Sequence, residues 1–318
     1  MRNIETIVYF DLEATGLKSS GKPRICELSL VAVNIKDVLD LHKKMTEKFK
    51  TGRKEVTPVH LQHLLPRVIN KLTLCVYPMN TIVPLVSDIT GLDNYNLSGQ
   101  SRFTKNTGNL INCFLTCLPA PVCLVAHNGN AYDFALLKSE LEKVGTHLKA
   151  GILCADSYIG IKEIFTKNDK PFIEVNNVKM EMDAAMQLMK AGVFETEMME
   201  GICEGFIATK SNYTVPKEEN EQSPRRTGNK INSTLPRKPQ KTQANPNRKL
   251  CFANQGPPSS YSLVNLHQHL LGFVPDKSHG AEVDCFALLR TTAVLGDDWI
   301  DWVKENCYLF ENCEKMWG

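Results

Sequence analysis

The sequence lacks a long apolar run, an excess of charge of either sign and any Cys-x-x-Cys pair, and each absence removes a class of protein. No stretch approaches the roughly 18 apolar residues of a membrane span. The amino terminus, MRNIETIVYFDLEATG, meets charge too early for a signal peptide, and the chain reaches Gly318 without an anchoring tail. The expectation is a soluble protein of the cytosol, the nucleus or both, with no membrane partner. Lys and Arg number 37 against 35 Asp and Glu, a formal net charge of +2, which excludes a binder that holds nucleic acid by charge alone. It leaves room for an enzyme that touches a few phosphates. Eleven cysteines, odd in number and scattered, read as reduced core thiols, with Cys113 and Cys117 on a buried helix face in INCFLTCL. A zinc site of Cys113, Cys117 and His127 is the weaker alternative. A chain of 318 residues that is 42% hydrophobic buries a large core without disulfides or a structural metal.

What is present alternates between two periods. TIVYFDL (6–12), CELSLVAVNI (26–35) and VCLVAH (122–127) are rich in β-branched and aromatic residues and read as strands of one sheet. NLINCFLTCL, FALLKSELEKVG, SLVNLHQHLLG and AEVDCFALLRTTAVLG carry apolar residues at three- and four-residue spacing and read as helices. Strands followed by helices predict an α/β layered domain. The stretch 222–249 breaks the pattern, with Pro224, Pro236, Pro239 and Pro246 among polar residues and eight basic side chains without an acid. It follows a piece (195–221) holding seven Glu and two Lys. Too little apolar surface is available there to offset ordering entropy. The organisation expected is one domain in two parts, 1–208 and 259–318, around a flexible acidic-to-basic insertion at 209–258.

Chemistry collects on a few acids. Asp11 and Glu13 stand two apart in FDLEATG, so the pleat puts both carboxylates on one face of the first strand. Asp133 follows the strand VCLVAH and the loop 127–130 and opens a helix. His279 precedes the next helix start in SHGAEVDCFALLR, with Asp284 about one turn inside it. Each alone has a bland reading: alternation on a surface strand, an acid at a helix dipole, an unremarkable His-x4-Asp. Taken together, four carboxylates are an oxygen-only set suited to hard cations such as Mg²⁺ or Mn²⁺. Two such ions roughly 3.5 to 4 Å apart clamp the attacking and leaving oxygens of a phosphoryl displacement. A histidine of ordinary pKa can take the proton of an attacking water at neutral pH.

FDLEATGL, LVAHNGNAYDF and SHGAEVDCFALL, in this order, resemble the three exonuclease motifs of the DEDDh superfamily. VSDITGL (86–92), the PAPVCLVAHNG run and SYSLVNLHQHLLG bring the resemblance closer to the TREX-type three-prime repair exonucleases. It covers roughly 7–160 and 260–295. It implies a ribonuclease H-like fold, a central mixed sheet flanked by helices, and a 3′-to-5′ exodeoxyribonuclease releasing 5′-mononucleotides from single- and double-stranded DNA. By the same resemblance Asp11, Glu13, Asp133 and Asp284 hold two Mg²⁺, for which Mn²⁺ can substitute, and His279 is the general base. Glu13, Ala14, Leu17, Ile89, His127, Tyr132 and Asp284 fall at substrate-contacting positions, with Leu17 and Ile89 as apolar wedges. Core packing is the alternative for Leu17, Ile89 and Tyr132. The resemblance also implies a homodimer.

The chain departs from the family pattern in two places. Ala131 stands where a basic residue is common, with Asn130 before it, so some phosphate grip comes from elsewhere. The long insertion replaces a short loop before SYSL; it is either a basic arm that captures nucleic acid or a solvated linker or import signal. An exoribonuclease of the same acid set is the second reading, and a non-catalytic nucleic-acid scaffold the third. Removing the eight positive charges of 222–249 from the net +2 leaves −6 on the rest of the chain. Neutrality thus conceals an acidic body and a basic tether, and two divalent ions would offset much of that acidity.

Overall fold

The computed structural model describes residues 2–50, 63–168, 257–275 and 280–317. Strand β1 (Thr6–Ala14) is buried along its whole length and lies inside a six-stranded sheet. The other strands are β2 (Ile25–Asn34), β3 (Asn70–Cys75), β4 (Val122–Ala126), β5 (Leu153–Asp156) and β6 (Tyr308–Leu309), in the order β3-β2-β1-β4-β5-β6. The β1–β4 and β4–β5 pairs are parallel and the other three antiparallel, the mixed sheet that was expected.

The α-helices are α1 (Ile35–Lys50), α2 (Pro84–Thr90), α3 (Lys105–Thr116), α4 (Asp133–Lys143), α5 (Ser157–Asn168), α6 (Leu263–Leu271) and α7 (Ala281–Asn306). Among the described residues no helix is long and apolar enough to cross a membrane. The two faces of β1 divide them. Val8, Phe10 and Leu12 pack with Ile111 and Leu115 of α3 and Phe134, Leu137 and Leu141 of α4. Ile7 and Tyr9 pack on the opposite face with apolar residues of α1, α5, α6 and α7. The sheet is therefore sandwiched between two helical layers, each burying one stripe against it. Asp11 and Glu13 continue the Ile7–Tyr9 row, on the side that α7 crosses.

Local signals account for the helix limits. Thr104 and Thr107 form a reciprocal cap on α3. The Ser262 hydroxyl accepts the Asn265 N–H at the head of α6, and Gly272 closes that helix in the left-handed region. Two sequence expectations are corrected. The second strand ends at Asn34, and Ile35 begins a helix whose half-polar stripe, IKDVLDLHKKM, lies along the sheet. Cys113 and Cys117 are exposed on and just past α3, because Ile111 and Leu115 take the inward positions. Cys26, Cys123, Cys154, Cys285, Cys307 and Cys313 are buried free thiols, as read. The insertion expected at 209–258 lies, apart from Pro257 and Pro258, outside the described residues.

Helix α7 bends at Gly296, which has φ +55 and ψ −126 inside an otherwise helical run. A Cβ there would stand 2.7 Å from the His42 ring, whose Nδ1 lies 2.9 Å from the Ala293 carbonyl. Gly296→Ala therefore adds left-handed strain to overpacking in a closed site. The expected loss is about 2 to 4 kcal/mol in chemical denaturation. A change below about 0.5 kcal/mol would mean that the bend relaxes at no cost.

Candidate active site

Three of the predicted acids converge. Carboxylate oxygens of Asp11, Glu13 and Asp284 lie within 4.8 Å of one another. Asp11 and Glu13 are buried and Asp284 half-buried. Like charges this close, with little water between them, disfavour full ionisation unless a cation lies among them. An all-oxygen donor set of this kind fits Mg²⁺ or Mn²⁺ and does not resemble a zinc site. Among the described residues it is the group of acids, histidines and cysteines close enough to share an ion, and Cys113, Cys117 and His127 form no such group.

Asp133 is fully buried at the first position of α4, outside that 4.8 Å set. It is still within electrostatic reach: burial raises the Cys285 thiol, and the charges of Asp11, Asp284 and Asp133 raise it further. Asp133 thus acts on the same thiol, near the start of α7, as Asp11 and Asp284. His279 lies outside the described residues, immediately before Gly280, which caps that helix.

The helices bearing Asp284 and Asp133 are tied to the sheet by side chains that the sequence reading did not single out. Glu27 sits opposite Glu13 in the β1–β2 register and accepts the Ala281 N–H at 2.9 Å, taking up a donor that the first turn of α7 leaves open. Burial holds the Glu27 carboxyl above its usual range despite that bond. In the same turn Glu282 pairs with Lys71 of β3 and accepts the Thr73 hydroxyl at 2.8 Å. Helix α4 is anchored by a buried pair: the Arg24 guanidinium grips Glu140 through both carboxylate oxygens, and the Ile25 N–H also donates to Glu140. Removing one partner of such a pair costs about 3 to 5 kcal/mol.

The loop leading to Asp133 is shaped by Asp156, at the end of β5. Its carboxylate accepts N–H bonds from Asn128 and Asn130 at 3.1 Å and from Tyr158 at 3.0 Å. Burial outweighs these bonds and pushes the Asp156 carboxyl up to about 6. Gly129 brings the loop so close that a Cβ would meet the Phe134 ring at 2.7 Å.

Of the predicted substrate-contacting residues, Tyr132 is tied to the turn that follows β1. The Tyr132 hydroxyl donates to the Gly16 carbonyl at 2.5 Å, and the Val83 N–H donates to the Thr15 carbonyl at 3.2 Å, just before α2. Leu17 is 41% exposed beyond that turn, whereas Ile89 of α2 and Ala14 are buried. His127 has Nδ1 2.9 Å from the Ser157 hydroxyl and Nε2 2.9 Å from the Tyr261 carbonyl. A carbonyl only accepts, so Nε2 carries the proton. Both nitrogens are thus engaged, and the ring meets Tyr158 edge-to-face with centroids 5.8 Å apart. The signals that could have found the supporting acids were thin: Glu27 is an acid inside an apolar strand and Asp156 an acid closing a short one. Nothing in sequence pairs Glu282 with Lys71.

The comparisons with known proteins agree with the motifs. The chain is 40% identical over 164 residues to three-prime repair exonuclease 1 of Homo sapiens, an alignment covering 51% of this chain and 48% of that protein. It is 38% identical over 155 residues to three prime repair exonuclease 2 of Mus musculus, covering 48% and 59%. No protein-family model matches. Among solved structures, an E. coli exonuclease I complex with single-stranded DNA aligns with a TM-score of 0.48 at 9% identity, covering 95% of this chain and 43% of that one.

Asp156 yields a test of the loop. Its folded pKa lies above the ordinary 3.8, so its contribution to stability is full below that value and is lost as pH rises through about 6. The stability of the protein relative to Asp156→Asn should thus fall by up to about 3 kcal/mol between about pH 4 and pH 7 in denaturant titrations. A difference that rises or stays flat over that window would refute the assignment. The chain spans about half the length of the curated relatives it matches, and over that span it is similar to the three-prime repair exonucleases.

Proposed function

We propose that the protein is a metal-dependent 3′-to-5′ exodeoxyribonuclease that removes 5′-mononucleotides from the 3′ ends of single- and double-stranded DNA. The observation that carries this reading is the convergence of Asp11, Glu13 and Asp284 from a strand and a separate helix into one cluster within 4.8 Å. Its support is the motif order and the sequence similarity to repair exonucleases over about half the chain.

In this reading Asp11, Glu13, Asp133 and Asp284 hold two Mg²⁺ ions, with Mn²⁺ able to substitute. Bound divalent cations would supply charge stabilisation for an in-line displacement at phosphorus. The protein supplies the rest. Asp284 and Asp133 are presented by helices clamped to the sheet, so the acids hold their spacing without reorganising. His279, one residue before the α7 cap, takes the proton of the attacking water. Leu17, exposed beyond the turn after β1, and Tyr132, tied to that turn, offer apolar and aromatic surface to the terminal nucleotide. Such contacts tolerate any base, as a degradative enzyme requires. Ala14, Ile89 and His127 are assigned to substrate contact on resemblance to the family. A homodimer is part of the proposal, on resemblance to the family.

End-labelled single- and double-stranded DNA and RNA, digested over time with Mg²⁺ or with chelator, test the substrate and the direction. Ladders shortening from the 3′ end of DNA, abolished by chelator, are expected; RNA shortened faster than DNA would move the assignment to an exoribonuclease. Asp11→Asn separates the site from the fold. It should cut the rate by roughly a hundredfold or more yet melt no lower than the parent in chelator, because one of several crowded buried charges has gone. Added Mg²⁺ should then raise the melting temperature of the parent and leave that of Asp11→Asn nearly unmoved. Equal Mg²⁺ shifts in the two proteins would place the ion elsewhere.

A further inference from the structure

Helix α4 runs from Asp133 to Lys143, and its far end borders an open cavity of about 530 Å³ that the proposed hydrolysis does not use. Its floor is the Trp317 indole. The Lys143 ammonium lies 5.6 Å, the Arg24 guanidinium 5.7 Å and the Lys22 ammonium 5.9 Å from the ring centroid. Lys315 lines the same cavity and pairs with Glu142 at 2.8 Å. Four cations thus face two acids, Glu142 and the Glu140 that holds Arg24, a local excess of two positive charges on a chain whose net charge is +2.

The cavity is built from fixed parts. The Trp317 Nε1–H donates to the Pro23 carbonyl at 3.0 Å, and its backbone N–H reaches the Ser139 hydroxyl at 3.0 Å. Lys143 titrates below the ordinary lysine value, through partial burial and then through the charges of Arg24 and Lys22. An anion placed among them would relieve that repulsion.

We propose that this pocket binds phosphates of the DNA strand inward of its 3′ end. The inference rests on the exonuclease reading for its ligand. The ten-residue rise of α4 separates Asp133 from Lys143 by about 15 Å, or about four stacked nucleotide steps at 3.4 Å each. The β1–β2 hairpin leads the same way, since Lys22 and Arg24 follow Leu17 by a few residues. A terminal nucleotide at the carboxylates would thus place internal phosphates at the pocket. This grip does not depend on Ala131, the position where a basic residue was expected.

The test is fluorescence anisotropy in chelator, so that the strand stays intact, on the full chain with labelled single strands of about 20 and about three nucleotides. For the Lys22→Ala/Lys143→Ala double variant the long strand should bind roughly ten- to thirtyfold more weakly at about 0.1 M salt. The slope of log affinity against log salt should fall by about 1.4, with the short strand changing less than about twofold. Lys22→Arg/Lys143→Arg should bind like the parent, which separates lost charge from lost folding. An unchanged slope, or equal losses on both strands, overturns the proposal. So does a pocket that holds thymidine 5′-monophosphate in calorimetry, loses it in the double alanine variant and leaves the long strand unaffected. If the parent fails to hydrolyse DNA while these binding differences appear, the exonuclease reading fails and the phosphate site stands.

Discussion

Mutual repulsion among carboxylates is the constraint around which the described structure is arranged. Asp11, Glu13 and Asp284 are held within 4.8 Å where little water reaches them, with Asp133 buried nearby. Left to itself such a cluster would spread or take up protons. It is held together because its members ride on elements that cannot easily move. β1 is buried on both faces, with Tyr9 hydrogen-bonded to Thr292 of α7 at 2.9 Å. α7 is pinned at its first turn by Glu27 from β2 and by Lys71 and Thr73 from β3. α4 is pinned near its far end by Arg24. The strain of gathering like charges is thus opposed by apolar packing and buried hydrogen bonds around the site.

The supporting acids divide by the groups they serve. Glu27 and Asp156 spend their carboxylates on backbone N–H groups at the head of α7 and in the loop before α4, and burial raises both. They fix where the backbone lies. Glu140 and Glu282 are instead paired with cations, and they fix which element lies beside which. Asp11, Glu13 and Asp284 differ from both in lying within 4.8 Å of one another, a spacing that favours a cation among them.

Sequence reading reached the central strands because β1, β2 and β4 carry dense runs of β-branched residues, and it reached α3, α4, α6 and the first part of α7 because their apolar stripes have helical spacing. It missed β3, whose NKLTLC is half polar because the strand lies at the sheet edge, and the very short β5 and β6. The extension of α7 past Gly296 was hidden by the glycine itself, a reasonable stop signal that here marks a bend. At the site, Asp11 and Glu13 were legible from the period of two and Asp133 and Asp284 from motif context. The clamps were not. A contact such as Lys71 with Glu282 spans more than two hundred residues, and neither partner has a local pattern that announces it.

The two ends of α4 complete the account of the charge balance. At the amino end stands Asp133, where the helix dipole favours an anion; at the carboxyl end stands Lys143, where it favours a cation. One short helix thus runs from the acidic cluster to the cationic pocket. The hairpin carrying Leu17, Lys22 and Arg24 links the same two regions from the sheet side. A polyanion lying along this line would meet carboxylates at one end, tolerable only with divalent cations present, and ammonium groups at the other. A chain whose total charge says little about nucleic acid can still treat it selectively, because what matters is how far apart the signs are kept. Here α4 and the β1–β2 hairpin set that separation.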